Sequence, residues 1–320
     1  MNRLKSVRHT ALTPHELVPL LLELTEQFCR EVCDYVRKLA EQQQAREVLG
    51  VVEGREPTED VYVEVDRKCQ TMFWDTCQEF AARGLRVRIV SEHSLEEHQP
   101  EPKDPNVVCY IDPFDGTDQF LKGIWEAWYS VFSFATPNGQ DLVGGCVDLI
   151  TGIMYTANTL EPVPGQRITK VFLSSVRREF VNPSRAAELP ADGVVASYKG
   201  KWRYLAPWMT MVETFFGQEH FRGVTHYGWG GSFVYALLAA GVFHVYIMVR
   251  EPTDEIRPGR AFVAAAGLFL ASVTETGVLR RFRWGQRRRV PFFIAAANEI
   301  LARSVIRGIW RTQSVDVQSM

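Results

Sequence analysis

Apolar residues near the start of the chain recur every three or four positions. Leu17, Leu20, Leu21, Leu24, Phe28, Val32, Tyr35, Val36 and Leu39 fall on one stripe, and that period predicts an amphipathic helix over residues 14–44. Thr13 caps it, and Pro14 sits in its first turn. A second helix is predicted over 66–83, closed by Gly84, with strands to follow at 85–90 and 106–111. Three strand-like apolar runs come next, at 128–135, 142–148 and 153–157. The turn residues Pro137-Asn138-Gly139 and Thr151-Gly152 separate them, which predicts an antiparallel meander. Beyond residue 180 strands and helices alternate: strands at 193–196, 242–249 and 290–297, helices at 205–216, 230–241, 260–270 and 298–310. This change of pattern predicts an N-terminal α+β sub-domain over residues 1–185 and a C-terminal α/β sub-domain over 186–320. With no Gly/Ser-rich linker between them, the two are expected to form one body.

Charge and composition narrow the function classes. The 36 basic residues nearly cancel the 38 acidic ones, and a net charge of −2 gives no global attraction to nucleic acid or an anionic membrane. Function is therefore expected in a local site. The longest apolar stretch, 233–249, carries His244 and falls short of the roughly 20 residues a membrane helix needs. No secretory signal is read at the start, so a soluble, cytoplasmic protein with no membrane partner is expected. Cys29, Cys33, Cys69, Cys77, Cys109 and Cys146 lie in apolar patterns without CxxC or histidine spacing, and are expected as buried, reduced thiols.

The chemistry concentrates at Asp112-Pro113-Phe114-Asp115-Gly116-Thr117. A buried strand delivers Asp112, Pro113 stiffens the exit, and Gly116 permits a tight turn after Asp115. Thr117 then opens a helix whose first N–H groups suit a phosphate. Two carboxylates facing a phosphate would repel it unless divalent cations lay between them, and hard oxygen donors favour magnesium over zinc.

The longer string, from Val107 to Phe120, resembles the signature of the inositol monophosphatase family. These are lithium-sensitive, magnesium-dependent phosphatases that include bisphosphate nucleotidases and relatives of fructose bisphosphatase. The resemblance implies a layered αβαβα sugar-phosphatase-like fold, two or three Mg²⁺ ions, a small phosphorylated metabolite as substrate and a homodimer. Ser91-Glu92-His93-Ser94 resembles the family's first acidic turn, with Ser91 and His93 where glycine and a second glutamate are usual. Val63-Glu64-Val65-Asp66 keeps the aspartate, but not the threonine, of a Thr-x-x-Asp element. Pro252-Thr253-Asp254 keeps the proline and aspartate of a Pro-Trp-Asp motif, and Gly230-Gly231-Ser232 matches a Gly-Ser turn.

By this resemblance Glu92, Asp112 and the Phe114 carbonyl hold one Mg²⁺, and Asp112, Asp115 and Asp254 hold a second. Thr117, oriented by Asp66, positions the attacking water. Asp115, Gly116, Thr117, Gly231 and Ser232 contact the substrate. The family's glutamate for inositol hydroxyls falls on Ile247, so inositol recognition is not implied. The residues after Asp118 look more like the nucleotidase branch, and 198–204, with three aromatic and three basic residues, offers charge and a stacking ring for a nucleotide or bisphosphate, or else is a solvated loop. A non-catalytic phosphate-binding homologue is the other reading of the departures. Residues 280–289 hold six arginines and read as an exposed hairpin turning at Gly285-Gln286, with single-stranded nucleic acid as the competing, less favoured partner.

Overall fold

The first apolar stripe forms α1 (Pro14–Glu41). A short hairpin, β1 (Val48–Val51) and β2 (Val61–Val63), absent from the sequence expectation, leads into α2 (Glu64–Glu79). After α2 a single 3₁₀ turn stops at Gly84, whose φ of 89° ends the helical path. The structure is a computed structural model. It describes residues 12–51, 61–91, 102–175, 177–199, 201, 205–206, 208–209, 221–284 and 289–318, the segment 311–318 by its backbone alone.

A seven-stranded sheet follows: β3 (Val87–Ser91), β4 (Val107–Asp115), then α3 (Thr117–Lys122), β5 (Tyr129–Ala135), β6 (Asp141–Asp148), β7 (Ile153–Asn158), β8 (Ile168–Phe172) and β9 (Arg177–Val181). Strand order equals chain order. Only β3 and β4 run parallel; every later neighbour is antiparallel. The predicted meander is therefore present and two strands longer than its turn residues indicated.

The second sheet collects β10 (Val194–Ala196), β11 (Thr225–Tyr227), β12 (Val245–Pro252), β13 (Phe269–Val273), β14 (Leu279–Arg281) and β15 (Arg289–Ala296) in the order 11-10-12-15-13-14. Its helices are α4 (Val234–Ala239), α5 (Thr253–Ile256), α6 (Arg260–Ala266) and α7 (Glu299–Gln318). The helix expected over 260–270 ends at Gly267, whose φ is 68°, so the following apolar run enters β13 instead. Most of the helix expected over 205–216 lies outside the described residues.

Three buried clusters stack these elements into layers. α1 and α2 cover one face of the first sheet. Its other face meets α4, α6 and the inner face of the second sheet. Outside the second sheet, α7 closes the last layer through Leu301, Val305, Ile306 and Ile309. Burying apolar faces in this way produces the expected αβαβα order. Space at β6 lets both helical layers approach: a Cβ on Gly144 would meet Phe262 of α6 at 3.0 Å, and one on Gly145 would meet Phe132 at 2.4 Å and Thr25 of α1 at 2.8 Å.

All six cysteines are buried and none is in a disulfide. Desolvation pushes the Cys33 thiol up to about 12, so it stays protonated at neutral pH. Among the described residues no helix is long and apolar enough to cross a membrane.

The strands flanking residues 282–288 do not pair as the expected hairpin. β14 pairs with β13 through a turn at 274–278, and β15 lies on the far side of β13. Arg280 and Arg281 thus occupy an exposed edge strand, where charge discourages strand addition. Gly285 and Gln286 lie outside the described residues.

Candidate active site

In a regular strand, residues three apart point to opposite faces. Asp112 and Asp115 nevertheless line one cleft, because β4 carries a bulge between them. Asp112 pairs with Val131 and Asp115 with Tyr129, so two residues, Pro113 and Phe114, oppose the single Ser130. Proline has no N–H for the ladder, and the extra residue re-aims the second carboxylate. The expected strand end at 111 is thus extended to Asp115. The Phe114 ring anchors the bulge between Phe120 and Trp128, at centroid distances of 5.3 and 6.3 Å.

Asp66 is fully buried, yet it both caps α2 and reaches a residue of the cleft. One oxygen accepts the Val63 N–H at 2.7 Å, closing the first turn of α2. The other accepts the Thr117 hydroxyl at 3.0 Å, bringing together two residues 51 positions apart. The Phe114 carbonyl lies 3.3 Å from the same hydroxyl. With one proton to give, Thr117 favours the shorter, charge-assisted bond to Asp66.

The Gly-Ser turn arrives from the second half. The Ser232 hydroxyl donates to Asp112 Oδ2 at 3.1 Å, and the Phe233 N–H donates to Asp115 Oδ2 at 3.3 Å. Phe233 stacks flat on Tyr129, 4.2 Å between centroids, fixing the turn against β5. Gly231 has φ 150°, and a Cβ there would lie 2.3 Å from Asp115 Oδ2. Gly231→Ala is therefore expected to cost roughly 1–3 kcal/mol and to displace Asp115. Gly139, also left-handed at φ 91° but with nothing within 4 Å of a Cβ, should lose only about 1 kcal/mol on the same change. Thermal melts of the two variants separate the contact from the backbone strain.

The remaining predicted residues divide. Gly116 and Thr117 line the cleft with Asp112, Phe114 and Asp115. Glu92 and His93 lie outside the described residues, directly after β3, whose last residue Ser91 pairs with Ile111 beside Asp112. Asp254 is not brought to the cleft. It stands in the first turn of α5, its side chain 47% exposed and bridged to Arg257 at 3.3 Å. Pro252 and Glu255, three residues apart, line the cleft in its place, since α5 presents one face inward and Asp254 is off that face. Ile247 is buried against the outer layer under α7, so no ring-hydroxyl ligand stands there.

Sequence reasoning missed Trp229, which lines the cleft with Tyr198 and Lys201; the two rings lie 6.4 Å apart. Its aromatic position just before the Gly230-Gly231-Ser232 turn was the available signal.

Among the described residues the oxygen donors lining this cleft are carboxylates, carbonyls and the Thr117 hydroxyl, with no thiol or imidazole beside them, and such hard oxygens fit Mg²⁺. Among the described residues no three Asp, Glu, His or Cys side chains form a complete ligand group.

A sequence model of the Inositol monophosphatase family matches residues 21–304. No curated relative matches by sequence. Solved structures do match in fold. An IMPase of Thermotoga maritima is 17% identical with a TM-score of 0.63, the match covering 92% of this chain and 98% of that one. The extragenic suppressor protein suhB of Bartonella henselae is 17% identical with a TM-score of 0.61, covering 90% and 96%. Inositol monophosphatase II of Staphylococcus aureus is 14% identical with a TM-score of 0.60, covering 94% and 97%. The match to the family across most of the chain, together with the layered fold, makes this protein a member of the inositol monophosphatase family of phosphoric monoester hydrolases.

Proposed function

We propose that the protein is a cytoplasmic, Mg²⁺-dependent phosphomonoesterase acting on a small phosphorylated metabolite, with its site divided between the two sub-domains. The observation that carries this reading is the bulge in β4. It turns Asp112 and Asp115 to one cleft beside a threonine whose hydroxyl is held by the buried Asp66. Asp112, Asp115, the Phe114 carbonyl and Glu92 would hold Mg²⁺, two or three ions in all. When bound, the metal lowers the pKa of a coordinated water and neutralises phosphate charge. The chain's own residues do the rest. Asp66 fixes the Thr117 proton, leaving the threonine oxygen to accept a hydrogen bond from the attacking water and orient it. Ser232 and the Phe233 N–H hold Asp112 and Asp115 in place, and Gly116 and Thr117 supply backbone against the phosphoryl group.

A second, finer reading concerns the leaving group. Tyr198, Trp229 and Lys201 in the lining of the cleft favour a ring and a further negative charge, as in a nucleoside phosphate or a 3′(2′),5′-bisphosphate. SaIMPase-II has been solved with inositol monophosphate and with 2′AMP. Phosphate release from a panel of sugar, cyclitol and nucleoside phosphates with Mg²⁺ tests both readings. Turnover is expected, inhibited by Li⁺, with nucleotides ahead of cyclitols and Trp229→Ala raising KM for nucleotides about tenfold. Stoichiometric binding without release would instead make the protein a phosphate-binding homologue. Light scattering checks the homodimer that belongs to the same proposal.

A further inference from the structure

The family motif places its last metal carboxylate at the aspartate after proline, here Asp254, yet the geometry of β12 turns a different carboxylate inward. Side chains of β12 alternate regularly up to Val249: Val245, Ile247 and Val249 face α7, while Tyr246 and Met248 face the cleft side. Alternation then breaks at Arg250, whose φ is 62°. In the β12–β15 register Pro291 stands opposite Arg250, between the Val249–Phe292 and Glu251–Val290 pairs. Pro291 has no N–H to offer the ladder, which removes one restraint holding Arg250 extended.

After this inversion Glu251 points to the cleft side rather than toward α7. There it accepts hydrogen bonds from Tyr235 at 2.8 Å and Tyr246 at 3.0 Å, and is fully buried. The chain therefore enters α5 with a defined rotation. Thr253 and Ile256 are buried, Pro252 and Glu255 face the cleft, and Asp254 faces solvent and Arg257.

We infer that Glu255, not Asp254, is the carboxylate by which the C-terminal half engages the divalent cation. The assignment rests on the metal-dependent reading above. Glutamate is one methylene longer than aspartate, which suits a ligand displaced one residue along a helix whose first turn borders the cleft. Asp254 is left to form an exposed i, i+3 pair with Arg257, an interaction of little energetic weight.

Calorimetric titration of Mn²⁺ into the metal-free protein tests this without any turnover. Glu255→Gln should weaken Mn²⁺ binding by at least about tenfold, the scale on which loss of even an outer partner of a metal ligand is felt. Asp254→Asn should leave the affinity within about twofold, and Asp112→Asn should weaken it as the positive control. The Mn²⁺-induced rise in melting temperature supplies a second reading, because a cation that binds only the folded state stabilises it in proportion to affinity. That rise should shrink in Glu255→Gln and persist in Asp254→Asn. If Asp112→Asn weakens binding and Glu255→Gln does not, the assignment is overturned while the metal-dependent function stands. A tenfold loss in Asp254→Asn alone returns the role to Asp254. Absence of Mn²⁺ uptake by the unaltered protein would overturn the functional reading and the assignment together.

Discussion

Asp112→Asn is expected to reduce kcat/KM for phosphate release by about 10²–10³-fold, the scale associated with losing one preorganised electrostatic group at a reacting centre. The substitution is nearly isosteric, and the residue is only 5% exposed, so packing changes little. The amide oxygen can still accept the Ser232 hydroxyl, which lies 3.1 Å from Oδ2 in the native site. What disappears is negative charge on the face that the β4 bulge shares between Asp112 and Asp115. Without cation that charge is a liability, because two carboxylates turned to one cleft repel each other. The variant should therefore melt at or above the native temperature in EDTA and gain less from added Mg²⁺. Steady-state kinetics and paired melts with and without Mg²⁺ check the two halves. Wild-type kcat/KM in the variant would remove Asp112 from the chemistry. A large fall in melting temperature in EDTA would show instead that its carboxylate is structural.

The parts of this site that depend on local chain chemistry were legible in the sequence. Gly116, at φ 123°, ends β4 directly after Asp115, and the threonine next to it needs only a short helix to be placed. The meander was legible for the same reason, since Asn138-Gly139 and Thr151-Gly152 close their own turns. Pairings between distant strands were harder to read. Arg280 and Arg281 lie close to Arg289 in sequence, but β13 lies between their strands, because the Thr274–Val278 turn, closed by a Thr274 N–H to Val278 carbonyl bond at 3.0 Å, captured β14 first. The displacement from Asp254 to Glu255 was also hidden. It follows a break in alternation at Arg250, which stands opposite Pro291 some forty residues downstream. The β4 bulge likewise becomes visible only when Ser130 is seen to oppose two residues at once. Motif spacing marked segments that line the cleft, while the side chain each segment turns inward was decided by its neighbour in the sheet.

Asp66 shows how one residue answered both readings that its sequence allowed, and it leads to the second large effect. Asp66→Ala removes an acceptor from the Val63 N–H and from the Thr117 hydroxyl at once. Bonds to a buried charged group are worth about 1.5–3 kcal/mol each, so a loss of roughly 2–4 kcal/mol in stability is expected after partial relaxation. Activity should fall by about 10²–10⁴-fold, the range for losing a positioned proton partner. Thr117→Ala breaks only the second bond and leaves the cap of α2 intact. It should lose activity to a similar degree but stability by about half as much, roughly 1–2 kcal/mol after the same relaxation, and Thr117→Ser should recover most of the rate because the hydroxyl is retained. The double variant Asp66→Ala/Thr117→Ala then decides whether the pair is one device. Groups that act as a unit give non-additive losses, so its rate should be no lower than that of the slower single variant, while its stability should track Asp66→Ala alone. Losses that multiply across the cycle would mean that Asp66 serves α2 and Thr117 serves the water independently, with the 3.0 Å bond between them carrying no catalytic coupling.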